Sequence, residues 1–404
     1  MRDPALVEVT GPLASFAEVF RARLNRSGYA LQSQAGHLRL MADLSRWLVE
    51  HRLNGSGLSP EVVAEFVAGR RAAGHRHARS ARSLRPLLEC LREIGVAPAV
   101  AAPLVLGPVE VMLADYAAYL ARERGLAAVT VQRETDLLRP FLAARVVGDV
   151  LDLRSLTAGA VTAFMLTRSE SASPATVQRT GTALRSLLRF LHLRGMIDTS
   201  LVGAVPTAAN WKQAGLPKYL TPEQTRMLLA SCDPATAVGC RDVAILTLLA
   251  RLGLRAGEVA ALRLDDIDWR RGEITVVGSK GNRHERLPLP VDVGEALVSY
   301  LNGSRPVTTA NREVFLGPRA PHRALTRGAV TQLVARAARR CGLGTIYAHR
   351  LRHTAATTML RAGASLEEIG LVLRHRHALS TACYAKVDHE RLRELARPWP
   401  GDDL

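Results

Sequence analysis

Apolar residues recur along most of this chain at the three-to-four-residue spacing of helices, and within the first half the pattern repeats itself. Leu58-Ser-Pro-Glu-Val-Val-Ala-Glu-Phe66 lines up with Leu156-Thr-Ala-Gly-Ala-Val-Thr-Ala-Phe164, 98 positions later. Both segments read as helix starts, with Ser59 and Thr157 as N-caps whose hydroxyls accept from a free amide of the first turn. Leu84-Arg85-x-Leu87-Leu88-x-x-Leu91-x-x-x-Gly95 lines up with Leu184-Arg185-x-Leu187-Leu188-x-x-Leu191-x-x-x-Gly195, 100 positions later, each an amphipathic helix ended by a glycine. Two landmarks in the same order at nearly the same offset predict two related helical domains, residues 1–105 and 106–205, joined by a stretch holding Pro98, Pro103 and Pro108. A second linker, with Pro206 and Pro217, leads to Thr221-Pro-Glu-Gln224, an N-cap, a proline at N1 and a capping-box glutamine that open a third domain, residues 206–404.

The periodicity changes inside the third domain. Asp242–Leu252 reads as a buried helix and Gly257–Leu262 as a short one, whereas Glu273–Val277 and Glu285–Leu289 alternate like strands about Gly278-Ser-Lys280-Gly-Asn282. This predicts a β-hairpin with a lysine at its tip. Helical spacing returns over Arg327–Arg340, His353–Ala362, Leu366–Leu373 and His389–Ala396. The expected fold is mainly α with a small β-hairpin or sheet: tandem helical domains followed by a mixed α+β domain.

Composition narrows the function. Hydrophobic residues make up 48% of the chain and aromatics 4%, so the cores are built from Leu, Val, Ile and Ala. Lys and Arg number 54 against 37 Asp and Glu, a net charge of +17, which calls for a polyanionic partner. The basic residues are spread over the chain and form no polybasic run beside a lipid anchor, so double-stranded DNA is the expected partner and a membrane is not. Met1–Pro12 carries Arg2, Asp3 and Glu8 and lacks the apolar core of a signal peptide; the uncharged stretch Gly95–Val109 is broken by prolines and reads as a linker. Five scattered cysteines form no CxxC pair and no zinc spacing, so a reduced, cytoplasmic and nucleoid-associated setting without a metal site is expected.

Four ordered motifs carry the chemistry: Leu252-Gly-Leu-Arg255-Ala-Gly-Glu258, then Gly278-Ser-Lys280-Gly-Asn282, then His349-Arg-Leu-Arg352-His353-Thr354, and last His375 nine residues before Tyr384. In this order they resemble the catalytic domain of tyrosine recombinases, the phage integrase family, and residues 110–200 resemble that family's SAM-like core-binding domain in pattern and length. The resemblance implies Arg255 and Arg352 as phosphate-clamping arginines, Lys280 as the hairpin lysine, His349 as partner of Arg352, His375 as the third-motif histidine and Tyr384 as nucleophile. Arg374 stands where the family has glycine, which leaves His377 as an alternative to His375. His353 is expected to be a structural hydrogen-bonding residue.

The residue types fit the chemistry on their own terms. Breaking a phosphodiester without a metal needs a nucleophile, positive charge on the non-bridging oxygens and a proton for the leaving 5′ oxygen. Two arginines suit the second task because their planar forks bind phosphate bidentately and keep their charge. A phenol with a pKa near 10 needs a base or a positive field beside it, and His349 and His375 are candidates for moving the proton. Such chemistry requires no cofactor. The expected product is a 3′-phosphotyrosyl link, made by a site-specific recombinase acting as a tetramer on DNA, with accessory recombinases or DNA-bending proteins as further partners. A type IB topoisomerase and an inactive DNA-binding accessory protein are the alternatives. Arg79, Arg82 and Arg85 in the first copy, Arg133, Arg179 and Arg185 in the second, and Lys212 and Lys218 in the linker are candidate DNA contacts. The tail, with Leu392, Leu395 and Trp399, either docks on a neighbouring protomer or packs on its own domain.

Overall fold

The computed structural model describes residues 7–75, 77, 80–99, 107–207, 218–278, 284–306, 311–375, 377 and 379–385. Lys280, Arg79, Lys212 and the tail, with its expected helix His389–Ala396, lie outside the described residues. Contacts divide the chain into two compact units: residues 1–100 together with 213–404, and residues 101–212. Among the described residues the first unit contains three hydrophobic cores, one of them a small cluster around Ile369 and Leu373, and the second contains one.

The core of residues 13–97 is built on α1 (Ala17–Arg26), α2 (Leu31–Glu50), α3 (Pro60–Ala72) and α4 (Ala81–Glu93). That of the second unit is built on α5 (Pro108–Arg122), α6 (Ala128–Ala143), α7 (Ala158–Ser171) and α8 (Pro174–Leu193), with a two-stranded ribbon of β1 (Val146–Val147) and β2 (Val150–Leu151). The segments paired in sequence take the same local geometry. Ser59 accepts from the Val62 amide at 3.4 Å and Thr157 from the Ala160 amide at 3.3 Å, each starting its helix. Gly95 and Gly195 both lie in the left-handed region, at φ 74° and 66°, and both end their helices with the same pair of backbone hydrogen bonds. That double bond pattern, a Schellman motif, requires a left-handed residue just past the helix, which is why glycine stands there.

The remaining part of the first unit holds the motifs. Thr221 and Gln224 form the expected capping box at the start of α9 (Pro222–Ala230). Helix α10 (Ala237–Arg251) buries Ala244, Ile245, Leu246, Leu248 and Leu249 together with the ion-paired Arg241 and Asp242, so it is enclosed on most sides and runs through the core. Around it lie α11 (Ala256–Ala261), α12 (Val291–Gly303), α13 (Arg327–Arg340), α14 (Ala348–Arg361), α15 (Leu366–Val372) and α16 (Leu379–Ala382). An antiparallel sheet of β3 (Ile267–Asp268), β4 (Glu273–Val277) and β5 (His284–Pro288) pairs Ile274 with Leu287 and turns Ile274, Val276 and Leu287 into the core.

Three elements differ from the sequence reading. Helix α12 was not anticipated, although its buried Val293, Leu297 and Tyr300 have helical spacing. Between the expected short helix and the expected hairpin, Leu264–Asp266 makes a 3-10 turn and Ile267–Asp268 pairs as an edge strand that was not anticipated. Helix α14 begins at Ala348, five residues before the expected start, which places His349, Arg352 and His353 together in its first turns.

Gly253, in the first motif, shows why the loop after α10 has its sequence. It lies at φ 59°, its carbonyl accepts from Arg352 at 2.6 Å, and an added Cβ would sit 2.6 Å from Leu373 Cδ2 and 3.3 Å from Ala355 Cβ. Gly272 has φ 63° but open space around it. Gly253→Ala is therefore expected to destabilise the protein by on the order of 3 kcal/mol and Gly272→Ala by about 1 kcal/mol, read by chemical denaturation. Equal losses at the two positions would contradict the packing account.

Candidate functional site

The site begins where α10 ends. Arg255 caps α11 from the N-terminal side: its amide donates to Glu258 Oε2 at 2.8 Å and its guanidinium donates to Glu258 Oε1 at 2.6 Å and to the Arg374 carbonyl at 3.3 Å. The Arg255 side chain keeps 40% of its surface exposed, whereas that of Glu258 is wholly buried. Glu258 also accepts from the buried Arg374 guanidinium at 2.8 Å. Burial alone raises the Glu258 carboxyl, but the Arg374 charge and the donors of Arg255 outweigh it and hold the group below its ordinary value.

Arg352 lies on α14, one turn after His349, and is 2% exposed. Its guanidinium donates to the Gly253 carbonyl at 2.6 Å and to the Leu373 carbonyl, so one side chain ties together the first motif, α14 and the end of α15. Burial, then Arg255 and Arg374, push it down to about 10, which still leaves it charged at neutral pH. The protein around His349, followed by Arg352 and Arg255, holds that imidazole below its usual value.

Tyr384 follows α16 in a turn closed by its amide donating to the Thr381 carbonyl at 2.9 Å. It packs with Ala356, Leu360, Ile369 and Leu373. Burial, with a small addition from Cys383, raises its phenol to about 12 against the opposing charge of Arg352. The His375 ring lies parallel to it, with centroids 6.4 Å apart, and His375 Nδ1 is 2.7 Å from Thr381 Oγ1. Burial comes first, then Arg352, Arg255, His349 and Arg374, in lowering His375 to about 4. His377, the alternative to His375, is exposed.

Five of the six expected catalytic residues thus converge within the described part of the chain: Arg255, His349, Arg352, His375 and Tyr384. Three further participants, Glu258, Arg374 and His353, were not among the six expected catalytic residues, although His353 was expected to be a structural hydrogen-bonding residue. His353 Nδ1 lies 2.9 Å from the Tyr384 hydroxyl, and burial and the neighbouring His349 and Arg352 lower it to about 4, so the phenol can donate to a neutral ring. Its spacing of four from His349 was the available signal, since it puts both rings on one helical face, 4.4 Å apart. Glu258 was visible only as a neighbour of Arg255. Arg374 appeared only as a departure from glycine, and its φ of 55° explains that glycine preference. A left-handed arginine costs about 1–2 kcal/mol.

The candidate DNA contacts are placed differently from one another. Arg133 on α6 and Arg179 on α8 are exposed, as are Arg82, Arg85 and Lys218. Arg85 pairs with Glu89 at 2.7 Å. Arg185 is half-buried and donates to the Val205 and Pro206 carbonyls at 3.1 and 3.0 Å, holding the chain that leaves α8. Among the described residues no helix is long and apolar enough to cross a membrane, and no group of His, Cys, Asp or Glu side chains could hold a metal ion.

Comparisons with known proteins agree with this geometry. Residues 218–391 match the phage integrase family and residues 113–195 match the phage integrase N-terminal SAM-like domain. The chain is 38% identical over 396 residues, 97% of its length and 96% of the relative's, to a Sinorhizobium fredii (strain NBRC 101917 / NGR234) protein named "Putative integrase/recombinase y4rA". It is 31% identical to tyrosine recombinase XerD of Listeria monocytogenes serovar 1/2a over 292 residues, 70% of this chain and 96% of that one. Its fold is similar to that of the XerH site-specific recombinase in a post-cleavage complex with palindromic difH substrate, with a TM-score of 0.54 and 16% identity over 98% of both chains. The chain therefore belongs to the tyrosine recombinase, or phage integrase, family.

Proposed function

We propose that this protein is a site-specific recombinase or integrase that cleaves and rejoins DNA through a 3′-phosphotyrosyl intermediate at Tyr384. The observation that carries the reading is the imbalance of charge beside Tyr384: Arg255, Arg352 and Arg374 gather around the single carboxylate of Glu258, and the Arg255 guanidinium remains partly exposed. A DNA phosphate supplies the missing negative charge. Arg255 and Arg352 hold its non-bridging oxygens, the Tyr384 oxygen forms the new bond to phosphorus, and the bond to the 5′ oxygen breaks. The phenol proton passes toward the imidazoles that surround it, and Lys280 protonates the leaving 5′ oxygen. The phosphotyrosyl bond retains the energy for religation, so the step needs neither ATP nor a divalent metal.

Exchange between two sites, with two protomers on each, implies a tetramer on DNA. Residues 110–200 and the catalytic domain each bind DNA, and residues 1–105 add a further DNA-binding or protomer-bridging domain. The +17 net charge favours such binding in a cytoplasmic, nucleoid-associated setting. Arg133, Arg179 and Lys218 are exposed cations available for phosphate contact.

On a suicide DNA duplex, Tyr384→Phe is expected to abolish the covalent adduct while retaining binding, since it deletes one oxygen and little packing. Arg255→Ala is expected to slow cleavage by on the order of 10²-fold with little change in melting temperature. Arg352→Ala should lower both, because it also removes the donor to Gly253 and Leu373. A persistent adduct in Tyr384→Phe, or parental cleavage rates in both arginine variants, would overturn the assignment. A two-site recombination assay run beside a supercoil relaxation assay separates this activity from that of a topoisomerase. Removing Arg133 and Arg179 together should flatten the slope of log affinity against log salt by about 0.9 per contact; an unchanged slope would show that they do not meet phosphate.

A further inference from the structure

Helix α15 ends in the same way as α4 and α8. The Arg374 amide donates to the Leu371 carbonyl at 3.0 Å and the His375 amide to the Gly370 carbonyl at 2.9 Å, the double bond of a Schellman motif. At the corresponding position α4 has Gly95 and α8 has Gly195, and both are left-handed. Here an arginine takes that conformation at φ 55°. Unlike an exposed side chain that merely tolerates such a turn, it is directed inward: its side chain is 4% exposed and donates to the fully buried Glu258 at 2.8 Å. Its Nη1 donates to the Val372 carbonyl at 2.9 Å, and its own carbonyl accepts from Arg255 at 3.3 Å.

We infer that Arg374 is a positioning residue for the DNA-cleavage reaction: through Glu258 and through its own carbonyl it fixes the direction of the Arg255 guanidinium. The inference rests on the proposed function, because it needs Arg255 to receive the phosphate. Glu258 has two oxygens and three donors. Oε1 takes the Arg255 guanidinium, while Oε2 takes the Arg255 amide and the Arg374 guanidinium. With Arg374 in place Oε2 has a charged donor from the end of α15 beside the Arg255 amide, which steadies the carboxylate as it presents Oε1 to the Arg255 guanidinium. Without it the carboxylate is held only by the amide and guanidinium of Arg255 itself and loses its tie to the end of α15, so the partly exposed guanidinium is supported less firmly. Arg374 spends its guanidinium on Glu258 and the Val372 carbonyl, which sets it apart from the partly exposed Arg255.

Glycine is the informative replacement because it fits φ 55° and removes only the side chain. In the full-length protein, Arg374→Gly relieves the left-handed strain but leaves the buried Glu258 with one cation fewer, so its melting temperature is expected to fall while DNA binding is retained, and rates are compared at a temperature at which both proteins are folded. Its single-turnover cleavage of a suicide duplex should fall by on the order of tenfold, the scale of losing a group that orients a reacting one. The acid limb of its pH–rate profile should move to higher pH. Glu258 is faced by Arg255 on its own turn, by Arg374 and by Arg352 from α14, while Arg327 opens α13, which packs on α11; losing Arg374 removes the largest charge that opposes burial. Arg374→Lys, which keeps a cation within reach of Glu258, should recover most of the rate and return the limb toward its parental position. If Arg374→Gly matches the parent in rate and pH profile, or if the lysine variant is as slow as the glycine variant, the inference is overturned while the proposed function stands. A parent protein that forms no Tyr384-linked adduct overturns the proposed function, and the inference with it.

Discussion

The carboxylate of Glu258 has no exposed surface, and it is surrounded by more positive charge than it can neutralise. Arg255 reaches it at 2.6 Å and Arg374 at 2.8 Å, while Arg352 stands behind them on α14 and is itself lowered by its two fellow cations. Burying one such guanidinium without a partner is costly, and the chain meets that cost with backbone carbonyls, those of Gly253, Leu373, Val372 and Arg374. The consequence is structural as well as electrostatic: the carbonyls belong to the loop after α10 and the end of α15, so the arginines bind into one body the segments that carry the motifs. In the proposed function a DNA phosphate adds the anion that this cluster lacks.

Tyr384, the proposed nucleophile, is held in the same framework. Burial raises the Tyr384 phenol to about 12, and the imidazole within hydrogen-bonding distance, His353, is lowered to about 4. A proton does not pass spontaneously across so wide a gap. In the proposed reaction DNA changes both sides of it, because a phosphate beside the arginines would raise the proton affinity of the histidines and bring phosphorus to the phenol oxygen. Without a DNA phosphate the tyrosine stays neutral and packed against Leu360, Ile369 and Leu373.

Much of the site was readable because its motifs depend on backbone geometry that few residues satisfy. Gly253 is required by its left-handed φ and by the approach of Leu373, and His349 and Arg352 by the need to share a helical face. The repeated helices were readable for the same reason, through Ser59, Thr157, Gly95 and Gly195. What was hidden depends on contacts across long sequence separations. Neither the Arg374–Glu258 pair nor the place of His353 against Tyr384 follows from local spacing, since each joins elements brought together only by the core around α10 and α14. Arg185 is the reverse case: its position on an amphipathic helix suggests an outward cation, yet it folds back onto the Val205 and Pro206 carbonyls.

The central claim is that the charge cluster serves a covalent bond between Tyr384 and DNA, and the most direct measurement is to trap that bond and read where it lies. The full-length protein is incubated with a nicked suicide duplex of its own site, the adduct is digested, and the nucleotide-bearing peptide is sequenced by mass spectrometry. The account predicts a 3′-phosphate joined to Tyr384 and a free 5′ hydroxyl on the released strand. Attachment at another residue, or strand cleavage that leaves no protein on the DNA, would contradict it.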